Sequence, residues 1–513
     1  MSFFQTHPSS PTPPTIYFPA TFEQNSHSIE TIIALTSCIV YAFLTPISAI
    51  LVYLAIYPQP FKRTSMEVVL AIIRTIVLEF PFPLMVAKTA VLWMAAATGA
   101  FFYPLTAAIV WVDLATFAML CYVFYITYKT KEIIDTNTKG LQSYGPKLPG
   151  LLSIQFWLRT VTAFYLPLNI DVIRDITYVN EKELDKAGSN AAQHLKLDVY
   201  RPKGTKPNDS CPVLIFIHGG IWQLSDKLIP YPQPWYMASH GWVVASINYR
   251  LPPDVQFPTH LIDCKRALRW VKANISKYGG DPEFICVCGD SSGGHLASLL
   301  ALTGENKSRD AHNRVQCEFG IKRDINEKTT HNSTIGNAKL RPYNAESLRK
   351  TYQPGFSTIP LSIRACVVIN GIYGISEKHG LSKLETVFPG WFSNQVCNDV
   401  KGKEDKSLDT FKDSSTEEWL LRRKEEDIVP YLVFHGALDS IIEVEQPRSF
   451  VNLFKQRAPR QKIVYIEFPN SDHFYYLTAS LRTQYQMITM LRFLNRLYSE
   501  YKEKENDNNL NKH

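Results

Sequence analysis

The sequence predicts an α/β protein in which a mostly parallel sheet flanked by helices follows an N-terminal transmembrane helical region. Three observations predict this architecture. The first 128 residues contain long apolar runs. From Asp171 onward, short apolar strand patterns alternate with helical patterns, which is typical of a parallel sheet with helices on both faces. At 284–300 an apolar strand pattern, a glycine-rich turn and a helical pattern follow one another directly.

The chain of 513 residues is too long for one ordinary domain, and its composition divides it. Two polar stretches, at about 305–350 and 379–424, interrupt the strand–helix alternation, and we interpret them as an insertion and a lid-like or helical excursion. The predicted organisation is a disordered N-terminus (1–28), a transmembrane region of about three helices (29–128), a connector that lies in the membrane interface or packs on the domain (129–170), an α/β domain (171–500) and a disordered tail (501–513).

Three apolar runs indicate the membrane region. Thr31–Tyr57 contains no charged side chain and is long enough to cross a bilayer as a helix. It is too long for a signal peptide, and no Lys or Arg precedes it. Leu84–Tyr103 and Leu105–Tyr128 follow, so we predict three spans, with two or four as alternatives. Glu67–Phe80 is apolar but carries charges, and it either extends the second span or lies in the interface.

The distribution of positive charge predicts the orientation. No Lys or Arg precedes the first span, which predicts a lumenal or external N-terminus. With three spans, the large C-terminal part then faces the cytosol, in the endoplasmic reticulum or another endomembrane. Four N-x-S/T sequons favour the opposite, lumenal placement; they begin at Asn208, Asn274, Asn306 and Asn332. The basic residues that follow the first and last spans are Lys62, Arg63 and Arg74, and Lys129, Lys131, Lys139 and Lys147.

Composition argues against several other classes of function. The net charge of +7 comes without a basic stripe of interleaved aromatic residues, so no nucleic-acid partner is expected. The nine cysteines are scattered along the chain, and Cys286 and Cys288 fall within a predicted core strand. We therefore interpret the cysteines as small buried hydrophobic residues in a reducing compartment and not as a disulfide framework. No Cys/His spacing indicates a metal, and no cofactor is implied.

The predicted sheet is built from eight apolar segments. Val213–Ile217 and Phe284–Cys288 are continuous apolar runs, as expected for strands buried on both faces. Helices are predicted at His260–Tyr278 and around Ala479–Tyr498. The remaining predicted strands are Ile176–Val179, Leu195–Tyr200, Val243–Asn248, Ala365–Asn370, Tyr431–Phe434 and Lys462–Phe468.

The turn after the strand Phe284–Cys288 has the pattern of a nucleophile elbow. Ser291 stands between Gly289 and Gly293 at a strand-to-helix turn, where a side chain two residues before or after the serine would collide with neighbouring backbone. Such a turn lifts the serine hydroxyl clear of the sheet. It also points the N–H of Ser292 at the position where an oxyanion would form. Ser291 is therefore the predicted nucleophile.

Two downstream residues supply the acid and the base that an attacking serine needs. Asp439 lies in the turn that directly follows the strand Tyr431–Phe434, and His473 follows the strand that ends at Phe468. Both strand ends lie at the carboxyl edge of the sheet, where catalytic groups collect. In hydrolases that carry their serine on a nucleophile elbow, the catalytic residues follow one another along the chain as serine, acid and histidine. We therefore predict a Ser291–Asp439–His473 triad.

Four other polar residues are alternatives for these roles. Asp472 adjoins His473, but neighbouring side chains diverge, so it is a poor orienting partner. Glu443 is the second choice for the acid. His435 is expected to shape the turn that presents the acid, and His295 to pack at the start of the helix after the nucleophile.

An upstream loop, His218-Gly219-Gly220-Ile221-Trp222, directly follows the strand Val213–Ile217. Hydrolases with a nucleophile elbow use a glycine-containing loop at this place to offer backbone N–H groups to the oxyanion. We predict an oxyanion hole at Gly219, Gly220, Ile221 and Ser292, with the N–H groups of the last three as donors. Trp222 is expected either to line the acyl pocket or to pack in the core.

Six motifs together resemble a known family. They are H-G-G-I-W at 218–222, Y-G-G-D-P at 278–282, G-D-S-S-G-G-H at 289–295, Q-P-G-F at 353–356, H-G-A-L-D at 435–439 and D-H-F at 472–474. The set resembles the carboxylesterase branch of the α/β-hydrolases, which includes hormone-sensitive-lipase-like esterases, relatives with an H-G-G-x-W loop, and membrane-anchored bacterial lipase-esterases. The resemblance covers about Asp171–Tyr498 and implies an α/β-hydrolase fold that cleaves esters without a cofactor.

The chain departs from the family pattern at three places. Ile221 replaces the third glycine of the lipase-type loop, which favours the H-G-G-x-W relatives. The insertion at 305–350 is long, and the segment Tyr373–Ser376 lacks an acidic residue that the resemblance implies nearby. These departures concern the substrate more than the reaction.

The sequence therefore predicts a membrane-anchored serine hydrolase that cleaves carboxylic esters through an acyl-enzyme. The expected substrate is a small-molecule or lipid ester, and the membrane is the other expected partner. Two alternatives remain open: an amidase, formamidase or transacylase that uses the same triad, and a non-catalytic membrane protein that keeps the fold as an interaction module.

Overall fold

Four helices form the N-terminal part of the chain that the computed structural model describes. Ile29–Ile56, within the first helix, is long and apolar enough to cross a membrane, and so is the fourth helix. Val68–Glu79 and Pro81–Ala97 meet the same criterion only together, as a pair bent at the break between them, so the candidate spans number two or three among the described residues. The four helices are α1 (Ala20–Ile56), α2 (Thr64–Glu79), α3 (Pro81–Ala97) and α4 (Pro104–Asn137).

The chain divides into two compact units. The described residues up to Val52, with Leu84–Met119, form one unit, and Tyr53–Pro83 with the described residues from Leu120 onward form the other. The second unit therefore contains helix α2 as well as the sheet. The predicted insertion at 305–350 and most of the predicted excursion at 379–424 lie outside the described residues, which are 20–57, 64–162, 169–222, 225–304, 351–374 and 412–510.

Eight strands form one sheet in the order β1-β2-β4-β3-β5-β6-β7-β8. The pairs β1–β2 and β2–β4 are antiparallel, and every other neighbouring pair is parallel. The mostly parallel sheet of the predicted α/β fold is thus confirmed. The strands are β1 (Ile170–Thr177), β2 (Lys196–Pro202), β3 (Cys211–Ile217), β4 (Val243–Ile247), β5 (Gly280–Asp290), β6 (Cys366–Ile369), β7 (Tyr431–Gly436) and β8 (Ile463–Phe468).

Both faces of the sheet are covered, which explains why the central strands are continuously apolar. In β3, alternate side chains belong to different cores, because successive residues of a strand point to opposite faces. Val213 and Ile215 pack in one buried cluster, and Leu214 and Phe216 in the other. Among the described residues, the α-helices in this unit after α4 are α5 (Ile154–Val161), α6 (Glu181–Ala187), α7 (Pro232–Ser239), α8 (Thr259–Asn274), α9 (Ser291–Thr303), α10 (Thr416–Arg422), α11 (Glu445–Arg457) and α12 (Leu481–Leu510).

Several predicted boundaries differ from the structure at the ends of the chain. The predicted tail begins at 501, but helix α12 continues to Leu510, because Tyr501 packs against Phe284 and Lys502 pairs with Glu505 along the helix. The predicted disordered segment 1–28 also differs, since α1 begins at Ala20. Its sequence contains no proline between Pro19 and the apolar run, so the helix can extend toward the N-terminus.

The membrane region and the first strand also differ from their predicted limits. The apolar run Leu84–Tyr103 is not one helix, since α3 ends at Ala97 and Gly99 adopts a left-handed conformation with φ of 76°. Helix α4 continues beyond residue 128 to Asn137. The first strand covers Ile170–Thr177 rather than 176–179. It is a partly exposed edge strand with an irregular register, so its hydrophobic pattern is weak.

Candidate active site

Ser291 lies at the sharp turn between β5 and α9. Its backbone is in the left-handed region, with φ of 49°, as expected for a strained nucleophile elbow. The flanking glycines are required by space: a Cβ on Gly289 would overlap the backbone of Gly293, and a Cβ on Gly293 would overlap the carbonyl oxygen of Ile217. The turn therefore depends on both glycines, for the steric reason that the sequence suggests.

The structure brings Ser291, His473 and Asp439 into one hydrogen-bonded series. His473 Nε2 lies 3.1 Å from Ser291 Oγ, and His473 Nδ1 lies 2.8 Å from Asp439 Oδ2. These side chains come from the ends of β5 and β7 and from the turn after β8, at the carboxyl edge of the sheet. All three residues are buried. The series has the geometry of a nucleophile, a base and an orienting acid.

Electrostatics within this series favour an ion pair between the acid and the base. Burial alone would lower the pKa of His473, but the charge of Asp439 and its hydrogen bond raise this pKa above its usual value. Burial alone would raise the pKa of Asp439, but His473 and the Ile442 N–H hold it below its usual range. Asp439 is therefore ionised at neutral pH and can stabilise a protonated His473.

The turn after β7 fixes Asp439 in place. Its Oδ1 atom accepts hydrogen bonds from the N–H groups of Ile441 and Ile442, at 2.9 and 2.7 Å. His435 Nε2 donates to the Ile442 carbonyl at 3.0 Å and lies 3.4 Å from Asp439 Oδ2. His435 is thus part of the turn that presents the acid. The Nδ1 atom of His473 is bonded to Asp439 and not to the alternative acid, Glu443.

The loop after β3 is held against the elbow by polar contacts. The Gly219 N–H donates to Asp290 Oδ1 at 3.1 Å, so this N–H group is already bonded within the protein. The Trp222 N–H donates to Ser292 Oγ at 3.2 Å. Gly220 and Ile221 lie between these two contacts, both with positive φ, so their N–H groups are the loop's candidate oxyanion donors.

Trp222 and His295 pack against each other beneath this loop. Trp222 is fully buried, and its ring meets the His295 ring edge to face with centroids 5.3 Å apart. His295 is buried as well, and its Nε2 lies 2.6 Å from the Ser414 carbonyl oxygen. The geometry gives His295 a packing role, and Trp222 contributes to the core.

Two residues that position the site were not identified from the sequence. Asp290 precedes the nucleophile and holds the Gly219 loop; burial raises the pKa of its carboxyl group to about 7. Asn370, just after β6, donates to the His473 carbonyl at 2.6 Å and accepts from the Gly436 N–H at 3.0 Å. A polar residue at the carboxyl end of each strand was the available signal for both.

Among the described residues, no group of three or more His, Cys, Asp and Glu side chains could hold a metal ion. Cys286 and Cys288 are fully buried in β5, and burial raises the pKa of both thiols.

Comparisons with known proteins identify similar esterases. The BD-FAE family matches residues 197–339. The probable carboxylic ester hydrolase LipM of Mycobacterium tuberculosis is 30% identical over 63% of this chain and 62% of its own. Esterase LipC of the same organism is 31% identical over 64% of this chain and 67% of its own. This chain thus spans about two thirds of the length of these relatives.

The solved structures that are similar to this chain include esterase B from Lactobacillus rhamnosis, bound to a tributyrin phosphonate. That structure has a TM-score of 0.48 and 17% sequence identity. The match covers 67% of this chain and 91% of that one.

Proposed function

The chain belongs to the α/β-hydrolase family of carboxylic ester hydrolases, and on that basis we propose that it is a membrane-anchored serine hydrolase that cleaves carboxylic esters. The observation that carries this proposal is the buried series from Ser291 Oγ through His473 to Asp439, with both hydrogen-bonding distances at 3.1 Å or less. A serine hydroxyl needs a base within hydrogen-bonding reach before it can attack. The proposed nucleophile has such a base.

In the proposed reaction, Ser291 Oγ bonds to the ester carbonyl carbon while its proton passes to His473 Nε2. The protonated His473 then gives that proton to the alcohol oxygen as the C–O bond breaks, which leaves the acyl group on the serine. Water repeats the same two steps on the acyl-enzyme and releases the carboxylic acid. Asp439 accepts the His473 Nδ1–H bond throughout, which fixes the tautomer and stabilises the imidazolium.

The negative charge that develops on the carbonyl oxygen needs donors. We assign this role to the N–H groups of Gly220, Ile221 and Ser292. Ser292 lies in the first turn of α9, where N–H groups and the helix dipole both favour an anion. Gly219 belongs to the same loop but is not assigned as a donor, because its N–H is bonded to Asp290.

Membrane anchoring is supported by the two long apolar helices and by α5. In α5, Phe156 is buried, whereas Ile154 and Leu158 are exposed, as is Leu152 just before the helix. The buried side packs on the domain, since Phe156 belongs to one of the two buried clusters that cover the sheet. The Phe156 ring also lies 6.1 Å from the Phe124 ring of α4. The exposed apolar side suits the membrane interface. We therefore propose that one side of α5 packs on the domain and that the other side lies in the membrane interface.

A catalytic domain held at a bilayer meets esters that partition into it. We therefore include lipid esters, together with small-molecule esters, in the proposed substrate class. The length of the acyl chain decides between them, because each buried CH₂ adds about 0.8 kcal/mol of binding.

The first test is labelling of membranes with a fluorophosphonate probe, combined with hydrolysis assays on short- and long-chain esters. Ser291→Ala is expected to abolish labelling and to lower ester turnover by about 10⁴-fold or more, because the nucleophile is lost. Ser298→Ala is the matched control: Ser298 is also buried on α9 but lies away from the triad, so labelling is expected to persist. A folded wild-type protein that neither labels nor hydrolyses esters would contradict the proposal and favour the interaction module.

A further inference from the structure

The carboxylate of Asp472 connects the two loops that carry Asp439 and His473. Its Oδ1 atom accepts three hydrogen bonds: from the Ser440 N–H and Ser440 Oγ, both at 2.8 Å, and from the His473 N–H at 2.7 Å. Ser440 directly follows Asp439. One buried oxygen atom thus ties together the backbones on either side of the His473–Asp439 hydrogen bond. Asp472 does this without contacting the His473 ring, as the divergence of neighbouring side chains requires.

The other oxygen of Asp472 faces an arginine from the N-terminal part of the chain. Arg74, on helix α2, places its Nη1 atom 3.7 Å from Asp472 Oδ2, and both side chains are almost fully buried. The Arg74 Nε–H also donates to the Leu54 carbonyl at 3.3 Å, which fixes the guanidinium from its other side. All these residues belong to the same compact unit.

A second buried ion pair joins the same helix to the same region. Glu79, the last residue of α2, accepts hydrogen bonds from Ser480 Oγ at 2.7 Å and from Arg482 Nη1. Both charged groups of this pair are fully buried. Helix α2 also contacts the turn His473–Leu477. It is therefore packed directly behind the loop that carries the catalytic histidine.

In the contact between Arg74 and Asp472, the positive charge of Arg74 matters as well as the packing of its side chain. A buried carboxylate without a compensating cation takes up a proton instead of remaining charged. Burial, with the charge of Asp439, raises the pKa of Asp472 to about 6 even with Arg74 beside it. A protonated Asp472 would lose the charge assistance in its three hydrogen bonds, which are roughly twice as strong when the acceptor is ionised. The charged groups that face Asp472 are Arg74, Asp439 and His473.

We propose that Arg74 is a positioning residue of the active site: from helix α2 it supplies the counter-charge of Asp472, and through that carboxylate it fixes the loops that carry Asp439 and His473. This inference rests on the proposed function and extends it to helix α2. It makes a helix of the apolar N-terminal region part of the catalytic apparatus. Displacement of α2 would then misalign the triad without touching any of its three members.

The test uses the full-length protein in detergent or native membranes, with kcat, KM and the rate of fluorophosphonate labelling as readouts. Arg74→Met is expected to lower kcat and the labelling rate on the order of 10- to 100-fold, since a displacement of about 1 Å has an effect of that size, with KM changed less than twofold. Arg74→Lys keeps the charge and is expected to restore most of the lost rate. In the Asp472→Asn background, Arg74→Met is expected to cost little more, because the negative charge of Asp472 has already been removed.

Glu79→Gln is the matched control for docking of helix α2. It removes a charge from the other buried pair of the same helix and keeps an acceptor for Ser480, so it is expected to lower the melting temperature and leave kcat within about twofold. The proposal is overturned if Arg74→Met keeps the wild-type kcat, if lysine does not rescue it, or if the losses in the double variant are additive. A wild-type protein without ester hydrolysis or Ser291-dependent labelling would overturn both this inference and the proposed function.

Discussion

The base strength of His473 depends on charges that are buried with it. Burial alone would make the imidazole a weaker base, but the carboxylates of Asp439, Asp472 and Asp290 all raise its pKa. Asp439 contributes most among them because it is directly bonded at 2.8 Å. A raised pKa makes His473 a better proton acceptor, but only at a pH where the ring is still neutral.

This balance predicts the pH dependence of the reaction. Since only neutral His473 can accept the serine proton, kcat/KM is expected to rise with pH through a pKa above the ordinary histidine value of about 6.5. In Asp439→Asn, loss of the charge moves this acid limb to lower pH. The same change lowers kcat by about 10⁴-fold, because the tautomer is no longer fixed. Rate profiles from pH 5 to pH 9 for both proteins check the two effects together.

Glu443→Gln is the matched control for this experiment, since Glu443 was the alternative acid. Its pH profile and kcat are expected to equal those of the wild-type protein. A large loss in Glu443→Gln, with activity retained in Asp439→Asn, would show that the acid is misassigned.

Single residues also show which parts of the site could be predicted from sequence. Ser291, Asp439 and His473 each follow an apolar strand, so local pattern and chain order made them the candidates, and the structure places them within hydrogen-bonding distance of one another. The hydrogen bond from the Gly219 N–H to Asp290 was not predictable from the sequence. It joins the loop after β3 to the end of β5, and tertiary packing decides how close these two segments lie. The Arg74–Asp472 contact was also hidden, because nothing in either local sequence specifies the other.

At the level of elements, the elbow depends on how closely α9 and the end of β3 approach. Gly293 lies against the backbone of Ile217 and His218, so a Cβ at this position would collide with atoms that cannot move independently. Gly293→Ala is therefore expected to destabilise the protein on the order of 3 kcal/mol, the upper end for overpacking, and to abolish labelling at Ser291. Melting temperature and labelling of the purified variant measure both effects.

Gly150→Ala is the matched control for the elbow glycine. The nearest atom to a Cβ at Gly150 would be Lys131 Nζ at 3.5 Å, which is an ordinary contact with the end of a flexible side chain. This variant is expected to melt and to label like the wild-type protein. Equal stability of the two alanine variants would mean that the close approach at Gly293 can relax.

The elements that the sequence predicted least well are those whose charged side chains pair with residues far away in the sequence. Helix α2 has an apolar pattern interrupted by Arg74 and Glu79, which left open whether it extends the second span or lies in the interface. In the structure both charges face the hydrolase fold and not solvent. The buried strands were predicted more reliably, because their apolar runs are decided by local sequence and need no particular partner.

For the whole molecule, the number of spans decides whether the N-terminus and the catalytic domain lie on the same side of the membrane or on opposite sides. Three spans place the N-terminus and the catalytic domain on opposite sides, and two spans place them on the same side. The long helices α1 and α4 supply two candidate spans, and the bent pair formed by Val68–Glu79 and Pro81–Ala97 supplies the third. From the basic residues that follow α1 and those at the end of α4, we propose three spans with the catalytic domain in the cytosol.

Glycan mapping in a eukaryotic host tests that orientation, because glycans are added only on the lumenal side. Asn208 begins an exposed sequon in the catalytic domain and is expected to stay unmodified, so that Asn208→Gln leaves the electrophoretic mobility unchanged. Phe4→Asn creates a sequon with Thr6 and is expected to acquire a glycan that glycosidase removes. Glycans at both sites or at neither would mean an even number of spans, and a glycan at Asn208 alone would mean the reverse orientation. Because Asn208 is exposed, its lack of a glycan would report the side of the membrane and not steric protection.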